Sequence, residues 1–292
     1  MKIWKKHVLN HGEVELVGLN LNLADLQPEN GNLDLETLTL DPMIERAARI
    51  SYGGKTRKKR DTQGLIDYLL RHEHTSPFEQ VSFTFKIKAP LFVVQQLLRH
   101  RTAKLNQESG RYSVLSNRYF KPGLYREQSQ YNKQGSQEGD KIVQSVVEDI
   151  YVESVEGAYE SYQGLLNAGV AREQARGVLP TSTYTTLVWQ MDLHNLLHFL
   201  KLRMNDHAQF EIQEYARAIF VMISDWVPNT IDSWLNHVYH RVSLSFDELF
   251  VLRRAIESQG IDFDKAVAEA GKNLGEMLES PSREREFRAK FT

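Results

Sequence analysis

The sequence of 292 residues contains no cysteine, so no thiol chemistry is available to it. A disulfide framework, a cysteine-ligated metal site and covalent catalysis by a thiolate are therefore excluded. Any covalent step must use an oxygen, a nitrogen or a cofactor. Long apolar runs are also absent: runs such as 218–223 are far shorter than the about 20 residues of a membrane-spanning helix. No apolar segment of signal-peptide length follows the basic N-terminus, so a cytoplasmic location is expected.

The chain has little net charge, because 36 Lys and Arg are balanced by 38 Asp and Glu. A formal charge of −2 disfavours a protein that coats nucleic acid, although a local basic cluster could still bind anions. With 41% hydrophobic and 25% charged residues, the composition is that of an ordinary soluble globular protein. The length is sufficient for one or two domains with a substantial core.

The spacing of apolar residues predicts a mixture of strands and helices. Strict alternation of apolar and polar residues predicts a half-buried strand at 81–88. The first forty residues indicate one or two strands, with a turn at 28–32. Helical spacing is present over 42–51, 62–72, 91–100, about 143–165, and about 192–226 with room for one break.

A polar stretch and a helical tail set the predicted domain organisation. The stretch at about 126–140 is rich in Gln, Ser, Glu and Gly and is interpreted as a surface loop or insertion. Ser245 and Glu248 have capping-box spacing, Gly260 ends the helix that follows, and two more helices are predicted over 264–278 and 282–291. The prediction is a core over 1–240, which includes the insertion, and a helical C-terminal extension over 241–292.

Two nucleotide-binding motifs can be tested directly against the sequence. Residues 49–56 end like a phosphate-binding P-loop, but Arg49 stands where the first glycine is required and a predicted helix precedes it. No GxGxxG occurs, so a Rossmann dinucleotide site is unsupported. The basic run 55–60 is interpreted as a solvated loop, with docking of a phosphate-bearing ligand as the alternative.

Ten histidines permit a metal hypothesis. His194 and His198 are four residues apart on a predicted helix, and His237 and His240 are three apart, so either pair could present two imidazoles on one face. No HExxH motif is present. Structural or cofactor-contacting histidines are the preferred interpretation and no metal site is predicted, while a histidine-liganded metal hydrolase remains an alternative.

The segment 96–113 has the most unusual composition. Gln96 and Arg99 share a face at a predicted helix end, and Arg101 leads into the following loop. Four of the residues 96–111 are cationic without counting His100, and too few acids lie nearby to pair with them. The combination suits a ligand with both a phosphate and a planar polar ring, since arginine forms paired hydrogen bonds to phosphate. A module that binds single-stranded nucleic acid is the alternative use of these basic segments.

Arg99-His100-Arg101, followed after seven residues by Ser109, resembles the signature of the flavin-dependent thymidylate synthases. Further segments that resemble the family, in the same order, are 48–51, 74–79, 176–180, 202–203 and 207–212. By this resemblance the chain is identified as a member over roughly residues 40–225. The expected fold is α/β of the α+β type, with a central, mostly antiparallel sheet flanked by long helices. The resemblance also implies a homotetramer whose active sites are shared between subunits.

The activity that the resemblance implies is that of a methyltransferase of nucleotide biosynthesis. The family converts dUMP to dTMP by reductive methylation, with 5,10-methylenetetrahydrofolate as carbon donor, NADPH as reductant and FAD as cofactor. No cysteine nucleophile is needed. The implied partners are small-molecule substrates and other copies of the chain, with neither nucleic acid nor membrane.

The resemblance further implies the site residues. Those expected to bind dUMP, with arginines at its phosphate, are Gln96, Arg99, Gln107, Glu108, Ser109, Gly110, Arg111, Arg176 and Arg203. Those expected to bind FAD are Ser51, His74, Ser76, Glu79, Arg99, His100, Arg101, Asn106, Gln107, Asp192, His194, His198 and His207. Arg203 is the expected catalytic residue, because a guanidinium beside the N3–C2 edge of uracil favours the deprotonated ring.

Overall fold

The computed structural model describes residues 2–21, 35–51, 53, 61–130, 132–278 and 281–291. Its contacts divide the chain into two compact units, Met1–His240 and Arg241–Thr292. The turn predicted at 28–32 and the basic run 55–60 lie outside the described residues.

A five-stranded antiparallel sheet is the centre of the larger unit. Its strands are β1 (Lys5–Val8), β2 (Gly12–Leu19), β3 (Ser82–Pro90), β4 (Lys104–Gln107) and β7 (Tyr184–Asp192), in the order β1-β2-β3-β7-β4. The prediction of a strand at 81–88 is confirmed by β3, which buries Phe83, Phe85 and Ile87. Every residue of β3 pairs with β7, from Ser82 opposite Asp192 to Pro90 opposite Tyr184. The mostly antiparallel sheet expected from the sequence is therefore confirmed.

Eight α-helices accompany this sheet among the described residues of the larger unit. They are α1 (Asp41–Ile50), α2 (Thr62–Arg71), α3 (Leu91–Leu97), α4 (Gln144–Asn167), α5 (Arg172–Ala175), α6 (Leu193–Arg203), α7 (Phe210–Ser224) and α8 (Pro228–Trp234). Two 3₁₀ helices (Ser76–Gln80 and Arg176–Val178) and one π-helical turn (Leu235–Tyr239) complete the set. The long helix predicted over 192–226 is broken, at 204–209, and the helix predicted over 91–100 ends at Leu97.

The core lies between the sheet and the helices that follow β7. Helix α7 buries Ile212, Tyr215 and Ile219, and the Tyr215 hydroxyl donates to the Lys88 carbonyl oxygen at 2.7 Å. This close approach requires glycine at position 12. A Cβ atom there would lie 2.0 Å from the Tyr215 hydroxyl oxygen and 2.5 Å from the Val8 carbonyl oxygen. The missing side chain therefore lets Tyr215 of α7 pack closely against β2 and reach β3.

The polar stretch at 126–140 is an ordered insertion rather than a loop without regular structure. It contains a short antiparallel pair, β5 (Glu127–Gln128) and β6 (Ser136–Gln137). The Gln128 amide donates to the carbonyl oxygens of Lys133 (2.8 Å) and Gly135 (2.9 Å). Side chains thus supply hydrogen bonds that two-residue strands cannot supply by themselves.

The smaller unit is helical, as predicted. Its helices are α9 (Phe246–Glu257), α10 (Phe263–Met277) and α11 (Pro281–Arg288). The predicted capping box is confirmed, because Ser245 Oγ accepts from the Glu248 backbone N–H at 3.2 Å and Glu248 Oε2 accepts from the Ser245 backbone N–H at 2.7 Å. Gly260, in the turn after α9, has a φ of +73°. Across the described part of both units, no helix is long and apolar enough to span a membrane.

Candidate active site

The end of α6 carries a half-buried arginine in contact with a histidine. Arg203 Nε lies 3.1 Å from His100 Nε2 and donates a hydrogen bond to it. The His100 ring packs edge-to-face on Phe199, with ring centroids 4.9 Å apart, and Phe199 packs in turn on the buried Trp189. Since Phe199 and Arg203 are four residues apart, one face of α6 positions both contacts of the imidazole.

The electrostatics of this pair fix its protonation state. Burial, together with electrostatic interactions with Arg203 and His198, lowers the pKa of His100 to about 4. The ring is therefore neutral at pH 7, and because Nε2 accepts from Arg203, the ring proton is assigned to Nδ1. Burial and the neighbouring Arg99 also lower the pKa of Arg203, although a guanidinium remains charged. The result is a partly desolvated positive centre whose direct partner carries no charge.

Gln96, at the end of α3, belongs to a chain of hydrogen bonds that leads away from this centre. Gln96 Nε2 donates to Gln209 Oε1 at 2.7 Å, and Gln209 Nε2 donates to Glu211 Oε2 at 2.8 Å. The other Glu211 oxygen accepts from Arg126 Nη2 at 2.9 Å. Sequence reasoning assigned no role to Gln209, Glu211 or Arg126, although the first two lie in the 207–212 segment that carries the family resemblance.

A second group of predicted residues follows β4. Gln107 Nε2 donates to Thr185 Oγ1 at 3.3 Å, and the Glu108 backbone N–H donates to the Thr186 carbonyl oxygen at 2.8 Å, so β7 fixes this turn. A Cβ atom on Gly110 would lie 3.1 Å from Arg176 Cδ. Glycine at this position therefore lets the Arg176 side chain cross the backbone closely.

Ser109 and Arg111 complete this second group. Ser109 Oγ accepts from the Arg111 backbone N–H at 3.3 Å, and the exposed Arg111 forms an ion pair with Glu173 at 3.0 Å. Arg111 and Arg176 are both exposed. Two arginines beside a turn with backbone N–H groups are chemically suited to an anion such as phosphate. The contacts of this group run to β7 and to Glu173.

The residues predicted to bind FAD lie on several elements and are largely exposed. Ser51 follows α1, and His74 precedes the 3₁₀ helix that carries Ser76 and Glu79. Arg101 lies in the turn after α3, and Asn106 lies opposite Val188 in the β4–β7 ladder. The exposed members of the predicted set are Ser51, His74, Ser76, Glu79, Arg99, Arg101, Asn106, His198 and His207.

Asp192 and His194 lie at the start of α6. Both Asp192 oxygens accept hydrogen bonds from Asn195, at 3.0 Å from its backbone N–H and at 2.8 Å from its side-chain amide, so Asp192 caps the helix.

Arg99, Arg101 and His198 have side chains that are open to a ligand. Within the described part of the chain, no hydrogen bond or ion pair occupies these three side chains. The two guanidinium groups and the imidazole fit a flavin dinucleotide, because that cofactor combines a pyrophosphate with planar polar rings.

A cavity of about 1250 Å³ adjoins the hydrogen-bond chain of Gln96. It lies between the insertion, one face of α4 and the segment 206–213, and its wall includes Arg126, Gln209 and Glu211. Phe120, Ile150 and other apolar side chains also line it. The insertion thus shapes a large opening next to the predicted substrate residues.

The structure gives no support to a metal site. Among the residues that it describes, no group of three or more His, Asp and Glu side chains could hold a metal ion. His237 Nε2 instead lies 2.5 Å from Asp67 Oδ1, with its side chain 9% exposed, which is a structural pair between α2 and the π-helical turn. Among the described residues, the metal-hydrolase alternative therefore has no candidate set of three ligands.

Comparison with known proteins gives consistent results across sequence and structure. Residues 35–229 match the family described as "Thymidylate synthase complementing protein". A flavin-dependent thymidylate synthase of Thermus thermophilus is 44% identical over 244 residues, which cover 82% of this chain and 88% of that protein. One from Dictyostelium discoideum is 41% identical over 254 residues, covering 86% and 80% respectively.

A solved structure is similar as well. The crystal structure of a UMP/dUMP methylase from Streptomyces cacaoi bound with 5-Br UMP superposes with a TM-score of 0.66 at 32% identity. The match covers 79% of this chain and 97% of that one. The same methylase bound with 5-Br dUMP gives a TM-score of 0.65.

Proposed function

The chain belongs to the family of flavin-dependent thymidylate synthases, and we propose that its half-buried Arg203–His100 pair is the centre of that activity. The enzyme is a methyltransferase that uses FAD and converts dUMP to dTMP, with 5,10-methylenetetrahydrofolate as carbon donor and NADPH as reductant. The observation that carries the assignment of the centre is the 3.1 Å hydrogen bond from Arg203 Nε to a neutral His100.

Arg203 activates the uracil ring in this proposal. Because His100 occupies Nε, the two terminal nitrogens of the guanidinium are left to face the N3–C2 edge of the ring. Partial burial reduces the screening of the positive charge, so negative charge that develops on the ring is stabilised more strongly than in water. The neutral imidazole orients the guanidinium without adding a second charge to it.

FAD supplies the electrons of the reductive step when it is bound. The residues proposed to hold it are Ser51, His74, Ser76, Glu79, Arg99, His100, Arg101, Asn106, Gln107, Asp192, His194, His198 and His207. Arg99 and Arg101 provide charge for the pyrophosphate, while histidines offer planar surfaces and hydrogen-bonding nitrogens to the rings. For Asp192 we propose an indirect part, since its oxygens accept from Asn195 and so fix the start of α6.

The phosphate of dUMP is assigned to the turn after β4. Ser109, Gly110, Arg111 and Arg176 form this subsite, and Gln107 and Glu108 position it through their contacts with β7. Gln96, Arg99 and Arg203 contact the nucleoside. Close packing at Gly110 sets the Arg176 side chain beside the turn, where a Cβ atom on residue 110 would lie 3.1 Å from Arg176 Cδ.

Assembly as a homotetramer with shared active sites is part of the proposal. The exposure of Arg111, of Arg176 and of most residues proposed to hold FAD supports a site that other subunits complete. The test is complementation: Arg176→Ala and Arg203→Ala proteins, each inactive alone, should regain part of the activity after they are unfolded and refolded together. Activity that stays absent from mixed tetramers would argue against sharing.

The functional unit is proposed to be 1–240, with the insertion at about 126–140 included, and 241–292 to be a helical C-terminal extension. A cytoplasmic location remains part of the proposal. Activity is tested by incubating the FAD-loaded protein with dUMP, methylenetetrahydrofolate and NADPH and measuring dTMP by chromatography, with each component omitted in turn. A folded, FAD-loaded preparation that releases no dTMP would exclude the activity for this chain.

A further inference from the structure

A chain of hydrogen bonds joins the insertion to Gln96, which is proposed to contact the substrate. Arg126 and Gln209 each donate to one oxygen of Glu211, and Gln209 accepts from Gln96, with all donor–acceptor distances between 2.7 and 2.9 Å. The chain joins residues that lie 85 and 113 positions apart in the sequence. These side chains therefore make a long-range link between separate elements.

Glu211 determines how the amide groups in this chain of hydrogen bonds are oriented. A carboxylate only accepts hydrogen bonds, so the side chain of Gln209 must turn its Nε2 towards Glu211 and its Oε1 towards Gln96. Gln96 must then present its Nε2 to Gln209. The Oε1 atom of Gln96 is left over, and within the described residues no hydrogen bond occupies it. One carboxylate therefore determines the orientation of two successive amides.

Burial makes the arrangement specific. Glu211 is only 5% exposed, and a buried carboxylate without partners is strongly unfavourable. Arg126 satisfies it and is itself held in place, because its guanidinium lies over the Phe210 ring, 4.8 Å from the centroid. Arg126 therefore ties the insertion to the start of α7, next to the cavity.

We propose that Glu211, held by Arg126, is a positioning residue that fixes Gln96 for substrate binding. The proposal rests on the proposed function, in which Gln96 contacts dUMP. It adds that Gln96 meets the substrate through an acceptor oxygen, and hence takes a hydroxyl or ring N–H donor of the nucleoside. Glu211 touches neither substrate nor flavin and acts only through Gln209 and Gln96.

The experiment is a double-mutant cycle on dUMP affinity. Calorimetric titration of FAD-loaded protein with dUMP, without NADPH or folate, measures binding in the absence of turnover. The proteins are the wild type, Glu211→Gln, Gln96→Ala and the double variant. Glu211→Gln keeps the size of the side chain but removes its charge and its acceptor-only character, so the Gln209 amide loses its fixed orientation.

The control is Glu214→Gln, the same substitution on the same helix. Glu214 accepts from Arg217 at 2.7 Å in an exposed ion pair, so this change also removes a carboxylate from a salt bridge. We expect Glu211→Gln to weaken dUMP binding about tenfold, the effect of one well-placed hydrogen bond. We expect Glu214→Gln to leave the dissociation constant within about twofold of wild type, since exposed pairs contribute little.

The cycle separates positioning from general structural support. In the Gln96→Ala background, Glu211→Gln should weaken binding less than about twofold, because the residue through which it acts is gone. An equal loss in both backgrounds, or no loss in either, would overturn the proposal. If Glu211→Gln fails to load FAD, Gln209→Leu replaces it in the same cycle with the same expectations, because this change keeps the Glu211–Arg126 pair but removes the amide through which Glu211 orients Gln96.

Failure of the proposed function gives a different result. In that case the wild-type, FAD-loaded protein would itself not bind dUMP, and the positioning role would fall with it. Wild-type binding that Gln96→Ala leaves unchanged would instead keep the function and reject the role of Gln96, and with it that of Glu211.

Discussion

The low pKa of His100 predicts a specific dependence of stability on pH. In the folded protein the ring titrates at about 4, whereas an unfolded histidine titrates near 6.5. Between these values the unfolded chain binds the additional proton, so stability rises with pH across this interval. The contribution of His100 is complete above pH 6.5, falls as the pH decreases towards 4, and is absent below that.

The magnitude follows from the same interval. At 1.36 kcal/mol per pH unit, the difference between 6.5 and about 4 gives an upper bound of about 3 kcal/mol. Since the ring is only half-buried, screening by solvent reduces this value, and we expect a loss of about 2 kcal/mol. His100→Gln keeps an acceptor for Arg203 Nε but cannot titrate, so this loss should be missing from the variant.

The assay is urea unfolding followed by tryptophan fluorescence at several pH values between 4 and 7, at one protein concentration. The measured quantity is the difference in unfolding free energy between pH 7 and pH 4, for the wild type and for His100→Gln. His7→Gln, in which the replaced ring is 84% exposed, is the matched control and should follow the wild type. If wild type and His100→Gln lose the same free energy, the imidazole is not held neutral by its surroundings.

Two further predictions concern stability outside the active centre. Gly12→Ala should lower the unfolding free energy by about 2 kcal/mol, because the new methyl group would overlap the Tyr215 hydroxyl and the Val8 carbonyl oxygen. An unchanged thermal midpoint would refute this account of the glycine. Ser245→Ala should destabilise the first turn of α9 by about 1 kcal/mol, because the Ser245 hydroxyl accepts a hydrogen bond from the Glu248 backbone N–H. Amide hydrogen exchange at Glu248 should therefore be faster in this variant. Exchange at the wild-type rate would contradict the role of the cap.

Much of the fold can be predicted because its signals are local. The alternation in β3 and the helical spacing of α4 lie within single elements, and both were expected from the sequence. Strand β7 was not predicted, although Leu187, Trp189 and Met191 alternate with less buried residues in the way that identified β3. Strand β4 carries no such signal: its four residues are largely polar, and they form a strand because β7 lies beside them.

In the candidate site, motifs predict individual residues, whereas the contacts between those residues depend on the fold. Arg203 and His100 were both expected from motifs, but their hydrogen bond joins positions 103 residues apart, which only the fold brings together. Glu211 received no role, although it lies in the 207–212 segment of the family resemblance, because the segment alone does not show that its carboxylate is buried. Its importance comes from burial and from its ion pair with Arg126, in a segment whose polar sequence indicates only a surface loop or insertion.

Without cysteine, activation of the substrate ring depends on Arg203, and this is the claim most in need of a direct test. The measurement is the rate of dTMP formation by FAD-loaded Arg203→Ala and Arg203→Lys beside the wild type, with bound flavin determined from absorbance. Both variants should retain flavin. Alanine should reduce turnover by at least about a hundredfold, as removal of a transition-state charge does elsewhere. Lysine should give an intermediate rate, since it keeps the charge but not the hydrogen bond to His100.

Turnover of Arg203→Ala at the wild-type rate, with flavin bound, would contradict this account and remove Arg203 from the chemistry. Loss of dTMP formation with flavin retained is the result that the account predicts.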